Sequence, residues 1–104
     1  MQSFLVEKDS IFRRVAFTFK NGAGLSVIWG RGSYSDNRNV DESDVPDHCV
    51  NAEVMLLIDG KCCFNPIGWV EPEHVAILLA MLASAPDKES AIKLWKEATK
   101  QTEE

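Results

Sequence analysis

The chain has 104 residues, of which 45% are hydrophobic and 26% charged, and its formal net charge is −5. This length and composition predict a single globular domain, 1–104, whose last residues, 101–104, we expect to fray. No apolar run reaches the 18 or so residues of a membrane span, and the overall acidity argues against general nucleic-acid binding.

The charges are unevenly distributed. Residues 1–40 carry six basic and three acidic groups, whereas residues 41–104 carry five basic and thirteen acidic groups. Solvated surface is one explanation of this uneven charge distribution. The alternative is that the distribution orients a charged partner.

The cysteines predict a reducing compartment. There are three, Cys49 and the adjacent pair Cys62 and Cys63, and an odd number does not suggest a disulfide framework. The N-terminus lacks the basic and apolar regions of a secretory signal. We therefore expect a cytoplasmic protein.

The first predicted hairpin spans residues 11–29. Its hydrophobic positions alternate, as in half-buried strands: Val15, Phe17, Phe19, Leu25, Val27 and Trp29. The Asn-Gly-Ala-Gly segment at 21–24 predicts an odd loop of three or five residues with a glycine at positive φ. We expect it to pair Phe19 with Leu25 and to place Trp29 in the core.

A long polar connection, 31–48, separates this hairpin from a second one, and connections of this length are usually functional or mobile. Residues 49–58 form the clearest strand, with Val50, Ala52, Val54, Leu56 and Ile58 on one face. Asp59-Gly60 predicts a two-residue turn. Lys61–Phe64 then form the fourth strand, which Asn65–Gly68 ends.

From Pro72 the hydrophobic period becomes helical, and this first helix is apolar enough to be buried on more than one side. Ala85-Pro86-Asp87 ends it and begins a second helix with a narrower stripe. The order predicts an α+β fold, an antiparallel four-stranded sheet (β-β-loop-β-β) with two C-terminal helices on one face. A short extra strand at Phe4–Val6 is a further possibility.

The histidines and cysteines do not form a metal or nucleophile pattern. Structural zinc takes ligands from tight pairs on turns, whereas Cys62 and Cys63 are consecutive on a strand and face opposite ways. Nothing around Cys49 marks a reactive thiol. We expect His74, in the first turn of the helix, to face solvent. The pattern predicts no metal, no cofactor and no catalytic residue.

The acidic segment 41–47 does not match a calcium loop, because its sixth position is Pro46 and its twelfth is Ala52. A solvated acidic loop is the simpler interpretation, and recognition of a basic partner is the alternative.

The glycines Gly30 and Gly32 lack the third glycine and following helix of a dinucleotide loop. They fit a strand that bends out of its sheet. Four neighbouring residues are left as exposed candidates for contact with a protein partner: Arg31, Tyr34, Asn37 and Arg38. Tyrosine and arginine are residue types that anchor interfaces.

The block Trp29-Gly30-Arg31-Gly32-Ser33-Tyr34-Ser35-Asp36-Asn37 has the form W-G-x-G-x-Y-x-x-N. With Ala52-Glu53-Val54, Gly68-Trp69-Val70 and Pro72-Glu73 after it, the chain resembles small uncharacterised proteins encoded by bacteriophages and prophages over residues 14–82. The resemblance brings no activity and no catalytic residue. It implies a phage accessory protein in the cytoplasm of a bacterial host.

These observations favour a non-enzymatic phage accessory protein that binds a host or phage macromolecule, with inhibition of a host defence system as one such role. Two alternatives stay open. One is a homo-oligomeric structural component, since a second copy could cover the apolar helix and the sheet edges. The other is a small thiol- or metal-dependent enzyme using His48, Cys49, Cys62 or Cys63.

Overall fold

Five antiparallel strands and two helices make up the fold, which a computed structural model describes for residues 2–40 and 45–101. The elements are β1 (Ser3–Lys8), β2 (Phe12–Thr18), β3 (Ala23–Gly30), β4 (Ala52–Ile58), β5 (Lys61–Val70), α1 (Pro72–Ser84) and α2 (Lys88–Thr99). The strands lie in the sheet in sequence order, so the expected α+β class is confirmed.

The expectation of four strands is wrong, because β1 adds a fifth. Its six residues pair with β2 in unbroken register, with Phe4 opposite Phe17. The possibility of an extra strand at Phe4–Val6 is thus confirmed, with wider bounds.

The β2–β3 loop has three residues, 20–22, and Gly22 has φ +92°, as the odd-loop prediction required. The Phe19 N–H donates to the Ala23 carbonyl at 2.8 Å, so Phe17 rather than Phe19 lies opposite Leu25. The predicted pairing was therefore two residues out. An even shift keeps every side chain on its expected face, which is why the hydrophobic pattern could not reveal it.

The β4–β5 turn is the predicted Asp59-Gly60 pair, and both residues have positive φ. Two boundaries differ from expectation. The strand β4 begins at Ala52, which leaves Val50 exposed before it. The strand β5 continues through Pro66 to Val70. Proline is tolerated there because an edge strand has no neighbour on its outer side to which a backbone N–H must donate, and because the register shifts locally.

The core lies between one face of β3–β5 and the two helices. Its most deeply buried side chains are Leu25, Val54, Leu56, Leu82 and Trp95. Full burial of each large apolar side chain contributes roughly 1.5–3 kcal/mol. The indole N–H of Trp95 donates to the Gln101 side chain at 2.7 Å.

Both helices begin where their sequence signals place them, and α1 ends before Ala85-Pro86-Asp87 as predicted. Pro72 opens α1, and the Asp87 carboxylate accepts the Ser90 N–H at 2.8 Å as the N-cap of α2. However, α1 is buried on one side only, through Leu78 and Leu82, and Ile77 is exposed. Burial on several sides would need a second layer over α1, and α2 covers only part of it.

Trp29 shares the helix-facing side of the sheet with Leu25, as predicted, but it is only half-buried and lies outside the main core. The helices do not reach this end of β3. Its indole N–H instead donates to the Pro46 carbonyl at 2.9 Å. The segment after residue 44 therefore covers Trp29.

Neither helix in the described ranges is long and apolar enough to cross a membrane. Of the tail expected to fray, Gln101 is held by its bonds to Trp95 and to the Asn65 carbonyl at 2.8 Å. Residues 102–104 lie outside the described part.

Candidate functional site

The loop that follows β3 leaves the sheet at Gly30. This residue has φ +120°, and a side chain there would collide with the backbone of Ile11 and Phe12. The Arg31 N–H donates to the Ile11 carbonyl at 2.7 Å, and Gly32 follows with φ +82°. Both glycines thus serve the bend of the chain, as the sequence predicted.

A buried polar cluster holds this loop together. The Asn37 side-chain oxygen accepts the Gly30 N–H at 2.6 Å and the Ser35 hydroxyl at 2.8 Å. The Ser33 hydroxyl donates to the Gly30 carbonyl at 2.7 Å. The Gly32 N–H closes the loop on the Arg38 carbonyl at 2.9 Å. These bonds fix the loop by satisfying its own polar groups.

Asn37 is therefore not the exposed residue that the sequence suggested. It is 7% exposed, and its amide also donates to the His48 carbonyl at 3.4 Å. A polar residue within a polar loop gives no local sign of burial. The prediction that Asn37 is exposed was therefore wrong. Its visible role is to organise the loop.

Three further bonds tie the loop to β4 and to the residues just before it. The Asp36 carboxylate accepts the N–H groups of Val50 and Asn51 at 3.0 and 3.2 Å, just before β4. The Tyr34 N–H donates to the Glu53 carboxylate at 3.1 Å. Ala52 and Val54 point into the core, so Glu53 between them faces away from the helices. The loop consequently folds across the outer face of the sheet.

This placement brings three side chains together, which we call the aromatic surface: Tyr34, Arg38 and Trp69. The rings of Tyr34 and Trp69 are 5.4 Å apart at an interplanar angle of 33°. The Arg38 guanidinium carbon lies 4.8 Å from the Tyr34 ring centroid. Arg38 also donates to the carbonyls of Gly32 and Ser33 at 3.0 and 3.2 Å. The guanidinium is thus held over the ring by the loop backbone.

Trp69 is the member of this surface that the sequence did not single out. It is 56% exposed, and Tyr34 is 40% exposed. The backbone φ of Trp69 is +52°, a conformation that costs an ordinary L-residue about 1–2 kcal/mol. The Trp69 N–H donates to the Tyr34 carbonyl at 2.7 Å, and Gly68 packs against Tyr34 where no side chain would fit. Trp69 is thus a large, exposed aromatic residue held in a strained backbone conformation.

Of the four predicted contact residues, the structure brings Tyr34 and Arg38 together and separates the others. The Asn37 side chain is buried inside the loop. Arg31 is exposed at its start. Among the described residues, the Arg31 side chain takes part in neither of the ring contacts that build the aromatic surface.

The cysteines and histidines are scattered. Cys63 lies opposite Leu56 and packs against the core, whereas Cys62 lies opposite Leu57 and is exposed, so their predicted opposite directions are confirmed. His74 is exposed in the first turn of α1, as expected. In the described ranges, no three His, Cys, Asp or Glu side chains are grouped to hold a metal.

An apolar cavity of about 280 Å³ lies beside the start of α1, with Val27, Val70 and Leu79 in its wall. Its titratable lining group in the described part is Cys49. Burial, and secondarily the negative charge of Asp36, raises the pKa of this thiol. Such an environment disfavours the thiolate that a nucleophile needs.

The acidic segment 41–47 is described only from Val45 onward, and residues 41–44 lie outside the described ranges. Asp47 bonds Arg13 at 3.0 Å and lies 3.7 Å from the Lys8 ammonium. The hydrogen bond from Arg13 and the charge of Lys8 lower the pKa of Asp47. This carboxylate therefore joins the segment to β1 and β2.

In comparisons with protein-family models, curated proteins and solved structures, nothing matched this chain.

Proposed function

We propose that this chain is a non-enzymatic binding protein that holds a partner protein at the aromatic surface formed by Tyr34, Arg38 and Trp69. The observation that carries the proposal is the exposed Trp69 ring, held at positive φ against Tyr34. The binding energy of protein interfaces is concentrated in a few residues, with tryptophan, tyrosine and arginine the most enriched. All three types meet on this surface.

Pre-organisation supports the same proposal. Asn37 fixes the loop from within, Glu53 of β4 accepts the Tyr34 N–H, and the loop's own Asp36 bonds the backbone just before β4. A surface that is already ordered loses little conformational entropy when a partner binds. Its side chains are thus presented without a rearrangement of the backbone.

The charge of the surface indicates the partner's chemistry. Arg38 places a positive charge over the Tyr34 ring, and Arg31 is exposed on the same loop. An apolar or aromatic group on Trp69, flanked by a carboxylate near Arg38, would complement these side chains. The resemblance to phage and prophage proteins extends the proposal to a macromolecule of the bacterial host or the phage, with inhibition of a host defence protein as the expected consequence.

A lysate capture with variants tests the proposal. Immobilised wild-type chain, the Trp69→Ala variant and the Ile77→Ala variant would be exposed to the same bacterial lysate, and bound proteins would be quantified by mass spectrometry. Ile77 is an exposed apolar residue on α1 and serves as the control. We expect a protein that the wild type and Ile77→Ala retain equally and that Trp69→Ala loses. Equal retention by all three would reject the aromatic surface as the binding site.

A further inference from the structure

The two edges of the sheet differ in how they are protected. The strand β5 carries Pro66, two register irregularities and the positive-φ residues Phe64 and Trp69. These features hinder the addition of another strand. The strand β1 runs through Ser3–Lys8 without proline or bulge, in unbroken register with β2. Within residues 2–40 and 45–101, no strand pairs with its outer edge.

The hairpin hydrogen bonds show which β1 groups point to that outer edge. The Asp9 N–H donates to the Phe12 carbonyl at 2.9 Å, closing a two-residue turn. Because hydrogen-bonded and non-hydrogen-bonded pairs alternate in an antiparallel ladder, Glu7, Leu5 and Ser3 also bond to β2. The N–H and carbonyl groups of Phe4, Val6 and Lys8 are consequently directed outward.

The side chains of Phe4 and Val6 form an apolar strip that the described residues leave exposed. Phe4 is 78% exposed and Val6 is 66% exposed. The Phe4 and Phe17 rings meet edge-on with their centroids 5.6 Å apart, and Phe17 lies opposite the core residue Leu25, so both lie on the helix-facing side of the sheet. A groove of about 450 Å³ runs from Phe4 past Phe19 to Ala83 of α1. Apolar side chains and unpaired backbone groups thus share one edge.

We propose that a second copy of this chain occupies this edge, with its own β1 antiparallel to the first, to form a twofold dimer with a continuous ten-stranded sheet. A twofold axis normal to a sheet preserves its faces, so only residues of the same parity can lie opposite each other. The outward groups of Phe4 and Val6 then allow three central registers. The first sets Phe4 opposite Val6 of the other copy, the second sets Val6 opposite itself and Phe4 opposite Lys8, and the third sets Phe4 opposite itself and Val6 opposite Gln2.

The first register is favoured by its side-chain pairs. It forms two Phe4–Val6 pairs related by symmetry, and aromatic with β-branched pairs stabilise antiparallel sheets. It places Glu7 opposite Ser3 and Lys8 opposite Gln2, so no like charges face each other. The second register sets the Lys8 ammonium against the Phe4 ring position. The third sets Val6 opposite the polar Gln2 and leaves Lys8 without an opposite residue, so both aromatic with β-branched pairs are lost. In the first register, β1 and β2 of the two copies form an apolar surface between the two α1 helices. This dimer does not rest on the aromatic surface, which lies towards the opposite edge.

The oligomeric state is the first test. Sedimentation velocity of the full chain over a concentration series should show a species of twice the 11.6 kDa chain mass. A monomer at every concentration would overturn the proposal. It would equally be overturned if the chain were a monomer whose β1 paired with a strand of a different protein.

Charge substitutions test the pairing. Phe4→Lys combined with Val6→Lys sets lysines opposite each other twice, and we expect the dissociation constant of the dimer to rise at least about tenfold. Phe4→Glu combined with Val6→Lys sets opposite charges in the same places and should restore dimerisation. A dimer that tolerates both pairs equally would overturn the proposal.

Cross-linking tests the register itself. Leu5 lies on the twofold axis in a non-hydrogen-bonded pair, where Cα atoms are about 4.5 Å apart, a separation that a disulfide spans. The two Ser3 residues would be about 14 Å apart along the strands. With Cys62→Ser as background, Leu5→Cys should form a covalent dimer on oxidation and Ser3→Cys should not. Cross-linking of both at the same rate, or of Ser3→Cys alone, would overturn the register.

Discussion

The carbonyl of Tyr34 accepts the N–H of Trp69 at 2.7 Å, while the rings of these two residues lie 5.4 Å apart. One backbone bond and one ring contact thus join the loop after β3 to the edge strand β5. This junction turns two distant sequence segments into one surface.

The closeness of Gly68 to Tyr34 should make this position sensitive to a single methyl group. Gly68→Ala places a Cβ against the Cβ of Tyr34, so we expect a loss of about 1–3 kcal/mol in the free energy of unfolding. Urea denaturation measures it. In a Tyr34→Gly background the obstructing side chain is absent, and the same substitution should cost clearly less. An equal cost in both backgrounds would mean that Tyr34 does not cause the collision.

Asn37 should matter for stability because it is buried. Asn37→Ala leaves the Gly30 N–H and the Ser35 hydroxyl without their acceptor, at an expected cost of about 1–3 kcal/mol in unfolding free energy. Its exposed neighbour provides the control, since Asn39→Ala should change stability by less than about 0.5 kcal/mol. Similar values for the two variants in the same denaturation experiment would contradict the buried role.

Asp47 should make stability depend on pH. The hydrogen bond from Arg13 and the charge of Lys8 hold its folded-state pKa below the usual value of about 3.9. A depressed pKa gives a stabilising contribution above the unfolded-state pKa, which is lost as pH falls through the folded-state pKa. The wild type should therefore have a higher melting temperature than Asp47→Asn at neutral pH, and the gap should close below about pH 4. A gap that persists in acid would point to packing rather than charge.

The thiols should react in the order of their exposure. Cys62 is exposed, whereas Cys49 is half-buried and burial raises its pKa. With a thiol reagent near neutral pH, peptide mass spectrometry should find Cys62 modified first and Cys49 slowly. Removing Cys62 by Cys62→Ser should abolish the fast phase. A fast reaction at Cys49 would instead favour the thiol-enzyme alternative.

Much of the fold could be predicted from local patterns. Alternation identified the faces of β2, β3 and β4, Asp59-Gly60 identified a turn, and proline positions bounded α1. The hairpin register was missed by two residues because an even shift leaves each face unchanged. The continuation of β5 was missed because Pro66 is tolerated only through its position at an edge, which the sequence does not show.

The candidate site could be predicted only in part. Tyr34 and Arg38 stood out because their residue types are common at interfaces. Trp69 did not, since its exposure depends on a positive-φ bulge and on a loop more than thirty positions earlier in the chain. Asn37 was misplaced because the partners that bury it are formed by the loop itself.

Trp69→Gly separates a role in binding from a role in folding. Glycine adopts φ +52° freely, and the relief of about 1–2 kcal/mol should offset part of the loss, which comprises the ring contact of about 0.5–1.5 kcal/mol and the burial of the covered part of the indole. The unfolding free energy should then fall by no more than about 2 kcal/mol, which leaves the variant folded.

The most direct test of the aromatic surface is the affinity of Trp69→Gly for the captured partner, measured by titration calorimetry on preparations whose unfolding free energy is also determined. The proposal predicts a folded variant with an affinity at least about tenfold weaker, since interface anchors of this kind contribute about 2 kcal/mol or more. The control Ile77→Ala should bind as the wild type does. Wild-type affinity in Trp69→Gly would contradict the central claim that this surface binds the partner.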